Sequence, residues 1–327
     1  MAGKRIFLLD TMSFVYRAYH AAAHQRNIVM STKAGFPTGA TYIFARMLKK
    51  LMEEHKPEYL IACMEGGPGV GFREKLYPEY KANRKGETPN ELQRQLPYMD
   101  ELISCYRLPK ITFPGYEADD IIGTLSKRFF ESDLECQIFI VTGDKDMFQL
   151  VNERVFIVNP MKDLLADAQK VELIVGVPPS QVTDVMALRG DTVDNVPGAP
   201  GIGDKGSVSI IKEFGSLTAA LDGAASIKRK SYRESLQNNR AQIELSKQLV
   251  TIDVNVPVGC SLNDMKLIAP DQDGLDKIYR KLEFASLLKK EELASVEDFA
   301  EIVPPTSTDT TTTMSEEQAD TLIDSLF

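Results

Sequence analysis

Four short runs, at residues 5–10, 59–64, 136–141 and 155–158, are apolar but for Arg5, Asp10 and Gln137, which predicts buried strands rather than helices. Elsewhere the spacing turns helical. Ile43, Phe44, Met47, Leu48 and Leu51 form the apolar stripe of a helix opened by Phe36-Pro37-Thr38-Gly39-Ala40 and running to about Glu54. Ile121, Ile122 and Leu125 mark the core face of another, directly after Gly115. Residues 86–98, with Pro89 and Pro97 around Leu92 and Leu96, predict a connection carrying one short helix. A helix start stands at residues 176–181, an amphipathic run ends at Phe214 and Gly215, and residues 227–290 read as helical and charged. Beyond Lys290, the threonine-rich stretch 304–314 predicts a disordered linker and residues 315–327 a weak terminal helix.

Acids follow the strands. Asp10 ends the first, Glu65 follows the second, and Asp144 and Asp146 leave the third; strand C-terminal ends are where open α/β sheets bind ligands. Glu117, Asp119 and Asp120 fall in the first turn of the helix after Gly115, with Glu117 and Asp120 spaced to share a face. Each group alone has a plain alternative reading, as a complement to the helix dipole or as a solvated loop. If the two converge, carboxylates about 4 Å apart repel by roughly 4 kcal/mol per pair at an effective dielectric near 20, and a cation must lie between them. Oxygen-only donors call for Mg²⁺ or Mn²⁺, and carboxylates around two such ions cleave phosphodiesters.

Composition narrows the chemistry. Three histidines leave little material for a zinc site or a histidine base, and four scattered cysteines without a Cys-x-x-Cys pair suit a reducing, cytoplasmic setting. No apolar stretch is long enough for a membrane span. The net charge of −9 is concentrated in residues 291–327, which hold ten acids and no Lys or Arg, so the rest of the chain carries +1.

Two further features suit a polyanion. Residues 72–85 pack Arg73, Lys75, Lys81, Arg84 and Lys85 among Phe72, Tyr77 and Tyr80, cations for phosphates and rings for unstacked bases. Residues 196–205, directly behind Asp191 and Asp194, read as a glycine hairpin between helices that offers backbone N–H groups to phosphate. The glycine run 66–71 is followed by Phe72 and Arg73, not Gly-Lys-Ser/Thr, which excludes an NTPase phosphate loop.

With Leu8-Leu9-Asp10, Tyr16-Arg17-Ala18, Pro37-Thr38-Gly39-Ala40, Tyr80-Lys81-Ala82-Asn83-Arg84, residues 115–120, 142–146, 190–195 and 200–205 in order, the chain resembles the 5′-nuclease domain of bacterial DNA polymerase I, in the flap endonuclease family, over about residues 6–290. The resemblance implies a PIN-like α/β domain at residues 1–180 with a helical arch at about 70–100, a helix-hairpin-helix subdomain at 181–290, and a tail at 291–327. It implies two divalent ions, one among Asp10, Glu117, Asp119 and Asp120, the other among Asp144, Asp146, Asp191 and Asp194, and K⁺ at the hairpin. Lys81 and Arg84 match cations that hold the scissile phosphate, Tyr80 is placed to stack on a base, and Arg73 to contact a phosphate. Tyr16, Arg17, Thr38, Gly198, Gly201, Gly203 and Lys205 are the expected DNA contacts. Met64-Glu65 departs from the family's Phe-Asp, with one extra residue before Phe72; the longer Glu65 side chain is expected to reach the first metal or its water. Gly206-Ser207 stands where the family prefers Thr-Ala.

The implied activity is a metal-dependent 5′ to 3′ exonuclease and 5′-flap endonuclease in replication and repair, acting as a monomer on 5′ flaps, nicks, free 5′ ends and RNA primers. The alternative is a branched-DNA binder weakened at Glu65. The acidic tail resembles a linker, which inclines toward a chain continuous with proofreading and polymerase domains over a stand-alone nuclease.

Overall fold

The computed structural model describes residues 4–23, 30–67, 70–84, 88–159 and 164–288. The linker and terminal helix read in residues 291–327, and Lys85 of the basic stretch, lie outside them. In chain order the elements are β1 (Arg5–Asp10), α1 (Thr11–Ala23), α2 (Gly39–His55), β2 (Tyr59–Cys63), α3 (Phe72–Leu76), α4 (Asn90–Cys105), β3 (Lys110–Ile111), α5 (Ala118–Ser132), β4 (Gln137–Val141), β5 (Val155–Asn159), β6 (Leu164–Ala166), α6 (Ala168–Val175), α7 (Val182–Arg189), α8 (Asp204–Phe214), α9 (Leu217–Asp222), α10 (Lys230–Asn238), α11 (Arg240–Val250) and α12 (Gln272–Lys281).

The chain divides into two compact units. The first comprises Met1–Asp10, Cys63–Gly86 and Lys110–Asp264. In it β1, β4 and β5 run parallel and β6 closes antiparallel on β5. Ile6, Leu8, Leu9, Ile138, Ile140 and Val141 are fully buried, the near-continuous apolar pattern of strands covered on both faces. Pairing of Leu9 with Val141 brings the C-terminal ends of β1 and β4 side by side. α5 buries Ala118, Ile121, Ile122, Leu125 and Phe129. α7 and α8 flank the glycine hairpin, and α8 ends on Gly215 in the left-handed conformation. β6, an edge strand with Leu165 exposed, is too short for a periodicity to register. Residues 251–261 break the helical reading of the C-terminal region and run as an extended strap between α11 and a 3₁₀ turn.

The second unit comprises Thr11–Ala62, Glu87–Pro109 and Met265–Phe327. The predicted stripe of α2 is its core face, with Ile43, Phe44, Met47 and Leu48 wholly buried. Tyr42 packs its ring edge on Phe284 and shares a 2.8 Å hydrogen bond with Ser286. α4 is sixteen residues long where a short helix is expected. Pro97 lies on its exposed side, where the Gln93 carbonyl it frees can meet water, while Leu92, Met99, Leu102 and Ile103 keep the buried stripe unbroken. Gln95, also buried, accepts from the Thr41 N–H at 2.9 Å.

Candidate active site

The site is built on the adjoining ends of β1 and β4. Asp10 is buried, and its Oδ2 accepts a 2.7 Å hydrogen bond from Thr142 Oγ1 across the β1–β4 pair. Beyond Thr142 the chain turns, with Asp144 Oδ1 accepting from the Asp146 N–H at 2.9 Å. Glu117 stands at the N-cap of α5 and Asp119 in its first turn. Asp119 is pushed well above the usual carboxylate range, by burial first and then by Asp10, Asp144 and Glu117. Within the α5 group, Asp119 is thus the acid that feels both Asp10 and Asp144.

A second set gathers at Asp146, whose carboxyl is pushed up to about 7 by burial, then by Asp144 and Asp191, with Asp194 adding and Arg189 opposing. Asp191 and Asp194 sit on a tight loop closed by the mutual Asp191–Val196 backbone pair, and Asp191 Oδ1 caps the Val193 N–H at 2.7 Å. The loop depends on glycine: a Cβ on Gly190, at φ +72°, would stand 2.6 Å from the Val196 carbonyl oxygen. Among the described residues, no three acids, imidazoles or thiols already stand as a coordination shell. The donors are oxygen-only and mutually repelling, which is the chemistry of a hard divalent cation.

Cations lie against these acids. Lys81 Nζ is 2.7 Å from Glu117 Oε1 and 3.9 Å from Asp194 Oδ2, and Arg84 pairs with Asp194. Backbone contacts fix the segment that carries them: the Lys81 N–H donates to the Asp194 carbonyl at 2.9 Å, and Asn195 Nδ2 to the Glu79 carbonyl at 2.7 Å. Two of the predicted motifs, Tyr80 to Arg84 and Gly190 to Asn195, are thus docked on each other. Glu65 lines a cavity of about 270 Å³ with Arg73, Tyr80, Lys81, Arg84 and Glu117. Its carboxyl is raised by desolvation and by Glu117 and Asp10, against the pull of Lys81 and Arg84, so the variant glutamate belongs to the same electrostatic group.

Three expected contacts are placed otherwise. Tyr80 is buried, its hydroxyl 3.4 Å from both Glu117 Oε2 and Asp194 Oδ2, so it presents no open face for a base. Burial and Glu117 push its phenol up. Arg73 is 4% exposed and spends its guanidinium on Asp120, which is wholly buried, and on two carbonyls. Thr38 is buried in the second unit, while Tyr16 there is exposed and Arg17 half-buried.

In the hairpin, Gly198 is held by Ser246, which accepts from its N–H at 3.0 Å, and by Gln242, which donates to its carbonyl at 2.8 Å. A Cβ on Gly198, at φ +62°, would stand 2.5 Å from the Gly190 nitrogen. Gly201 and Gly203 face open space and Lys205 is exposed. Gly206 is also explained: a Cβ there would meet the Tyr232 hydroxyl at 2.6 Å. Thr142 and Asn195 fall inside the motifs 142–146 and 190–195 without a supporting role being legible there, while Gln242 and Ser246 carried no local signal.

Residues 5–176 match the family model of the 5′-3′ exonuclease N-terminal resolvase-like domain, and residues 177–273 that of the 5′-3′ exonuclease C-terminal SAM fold. The chain belongs to the 5′-3′ exonuclease family. A 5′-3′ exonuclease of Aquifex aeolicus is 37% identical over 88% of this chain and 95% of its own length. DNA polymerase I of Bacillus caldotenax is 34% identical over 90% of this chain but only 33% of its own length, so the chain spans about one third of such polymerases. Among solved structures, the T5 5′-exonuclease with bound zinc ions superposes with a TM-score of 0.65 at 22% identity, covering 86% of this chain and 99% of that one. The catalytic core of Rad2 in complex with DNA substrate gives 0.53 at 18% identity, over 91% and 92%. These likenesses show the shared family fold, a resolvase-like α/β domain followed by a SAM-like one.

Proposed function

We propose that this chain is a structure-specific 5′ to 3′ exonuclease and 5′-flap endonuclease, hydrolysing phosphodiesters of DNA and of RNA primers annealed to it. The observation that carries the reading is the electrostatically linked set of Asp10, Glu65, Glu117, Asp119, Asp144, Asp146, Asp191 and Asp194, fringed by Lys81 and Arg84. A purely binding protein would gain nothing from so many like charges facing phosphate.

Asp10, Glu65, Glu117 and Asp119 would hold one Mg²⁺ or Mn²⁺, and Asp144, Asp146, Asp191 and Asp194 a second. Such ions, when bound, supply an activated water and stabilise charge on the phosphoryl oxygens. The chain's own part is positioning. Lys81 and Arg84, fixed through the 191–196 loop, meet the charge of the scissile phosphate. The open Gly201 and Gly203 backbone and the Lys205 ammonium would grip a duplex backbone without reading bases, and the hairpin would hold a K⁺ beside the same phosphates. Selectivity then comes from the junction and the free 5′ end. Residues 1–180 would serve as the catalytic part and 181–290 as the duplex grip, in a cytoplasmic monomer; among the described residues no helix is long and apolar enough to cross a membrane.

Single-turnover cleavage of a 5′-labelled flap duplex with Mg²⁺, Mn²⁺ or EDTA tests the reading. Cutting beside the junction in either metal, and none in EDTA, is expected. Tight binding without cutting in any condition would make the chain a branched-DNA binder.

A further inference from the structure

Asp120 stands apart from the other acids. Both oxygens are occupied: Oδ1 accepts from Arg73 Nη2 at 2.7 Å and from the Asp253 N–H at 2.9 Å, Oδ2 from Arg73 Nη1 at 2.7 Å and from the Glu117 N–H at 3.2 Å. The bidentate geometry is the tightest available to a carboxylate and an arginine. Nothing is left to donate to a cation without unmaking a wholly buried ion pair.

The helix geometry explains why. Asp120, Gly123, Thr124, Lys127 and Arg128 lie on one face of α5, at i, i+3, i+4, i+7 and i+8. Every one of them meets the extended strap after α11. Asp120 takes the Asp253 N–H, and Thr124 Oγ1 takes the Val256 N–H at 3.0 Å. Lys127 Nζ reaches Asn255 Oδ1 at 3.0 Å and Arg128 Nη1 the Val258 carbonyl at 2.7 Å. Gly123 leaves room for Ile252, whose Cγ2 would stand 2.5 Å from an added Cβ. Asp119, one residue and about 100° away, faces Asp10 and Asp144 instead.

Arg73 completes the arrangement from the other side. Its Nε donates to the Leu249 carbonyl at 2.8 Å and its Nη2 to the Thr251 carbonyl at 3.0 Å, which secures the end of α11 and the start of the strap. It also belongs to α3, directly ahead of the segment bearing Tyr80, Lys81 and Arg84. Its Nη1 stands 3.9 Å from Glu117 Oε2.

We propose that Asp120 and Arg73 are positioning residues, a clasp that holds α3, the first turn of α5 and the strap in register and thereby sets Glu117 and the Lys81–Arg84 segment; neither binds metal or DNA phosphate. The proposal rests on the nuclease reading for its kinetic consequence, though not for its metal-binding and exchange consequences.

The test compares Asp120→Asn, Asp119→Asn, Arg73→Met and Arg73→Lys in the full chain. In Mn²⁺ calorimetry, Asp120→Asn should keep the wild-type number of bound ions and Asp119→Asn should lose one. Amide exchange at residues 249–256 should quicken in Asp120→Asn and both Arg73 variants but not in Asp119→Asn. Flap cleavage by Asp120→Asn should fall about 100-fold in kcat with KM unchanged, as for a displaced catalytic group. Arg73→Lys should fail to rescue, since a lysine cannot make the paired contact. Duplex binding in Ca²⁺ should keep its salt dependence in Arg73→Met. Loss of a bound ion in Asp120→Asn, or a shallower salt slope in Arg73→Met, would overturn the proposal. If Arg73→Met does not fold, the near-isosteric Asp120→Asn still decides it. A wild-type chain that cleaves nothing would refute the nuclease reading, while the ion count and exchange rates would still judge the clasp.

Discussion

Lys81 bridges to Glu117 at 2.7 Å, placing one ammonium between the acids of α5 and those of the loop before the hairpin, since Asp194 Oδ2 is 3.9 Å away. The residue holds a left-handed φ of +54°, an uncommon backbone conformation for a lysine, maintained by its N–H bond to the Asp194 carbonyl. Held between two acid sets, Lys81 is the cation proposed above to meet charge that develops on the scissile phosphate.

Replacing Lys81 by alanine should therefore slow single-turnover flap cleavage by roughly 10²–10³-fold, the usual effect of removing one preorganised donor. Duplex affinity in Ca²⁺ should hardly change. Equal losses in rate and affinity would make Lys81 a binding residue only.

The acid cluster predicts a pH dependence of stability. Asp146, pushed up to about 7 by burial and by Asp144 and Asp191, keeps its proton in the folded chain at pH values where an unfolded aspartate, near 4, has lost it. The folded state then binds more protons, so the group's contribution to stability falls as pH rises from about 4 to about 7. Without metal, Asp146→Asn should melt higher than wild type at pH 8, and the gap should close by about pH 4. Added Mn²⁺ should raise the wild-type Tm at pH 8 and stabilise Asp146→Asn much less. A wild-type Tm above that of the variant at pH 8 without metal would contradict this account.

The hairpin predicts a graded glycine series. Gly198→Ala adds a methyl 2.5 Å from the Gly190 nitrogen at φ +62°, whereas Gly201→Ala, at φ +76°, meets open space. Both carry left-handed strain of about 1–2 kcal/mol, and only the first adds a backbone clash. Thermal melts should show a clearly larger loss for Gly198→Ala, accompanied by weaker duplex binding. Equal losses would mean that the Gly190–Gly198 approach is unimportant.

Much of this was legible in the sequence because its causes are local. The strand ending at Asp10 and the α2 stripe follow from short-range apolar spacing, and acids placed after parallel strands are carried to one edge by topology. The length of α4 was hidden because Pro89 and Pro97 signal a break, and only the three-dimensional exposure of Pro97 shows why none occurs. The site was harder to read where partners are distant. Asp120 and Arg73 carry the residue types of a metal ligand and a phosphate contact, yet they are spent on each other and on a strap some 130 residues downstream of Asp120. The i, i+3 spacing pairs Asp120 rather than Asp119 with Glu117, and only the distant strap shows that Asp120 is spent on Arg73 and the Asp253 N–H.

We propose that the two linked carboxylate sets act in cleavage rather than in folding or DNA affinity. Single-turnover flap cleavage by Asp119→Asn and by Asp146→Asn, one from each set, tests it most directly, with flap affinity measured alongside in Ca²⁺. Each variant should bind the flap as wild type does and cleave it at least about 10³-fold more slowly, as expected when groups act as a unit. Near-normal cleavage by either variant, or loss of flap binding in step with loss of rate, would contradict the account.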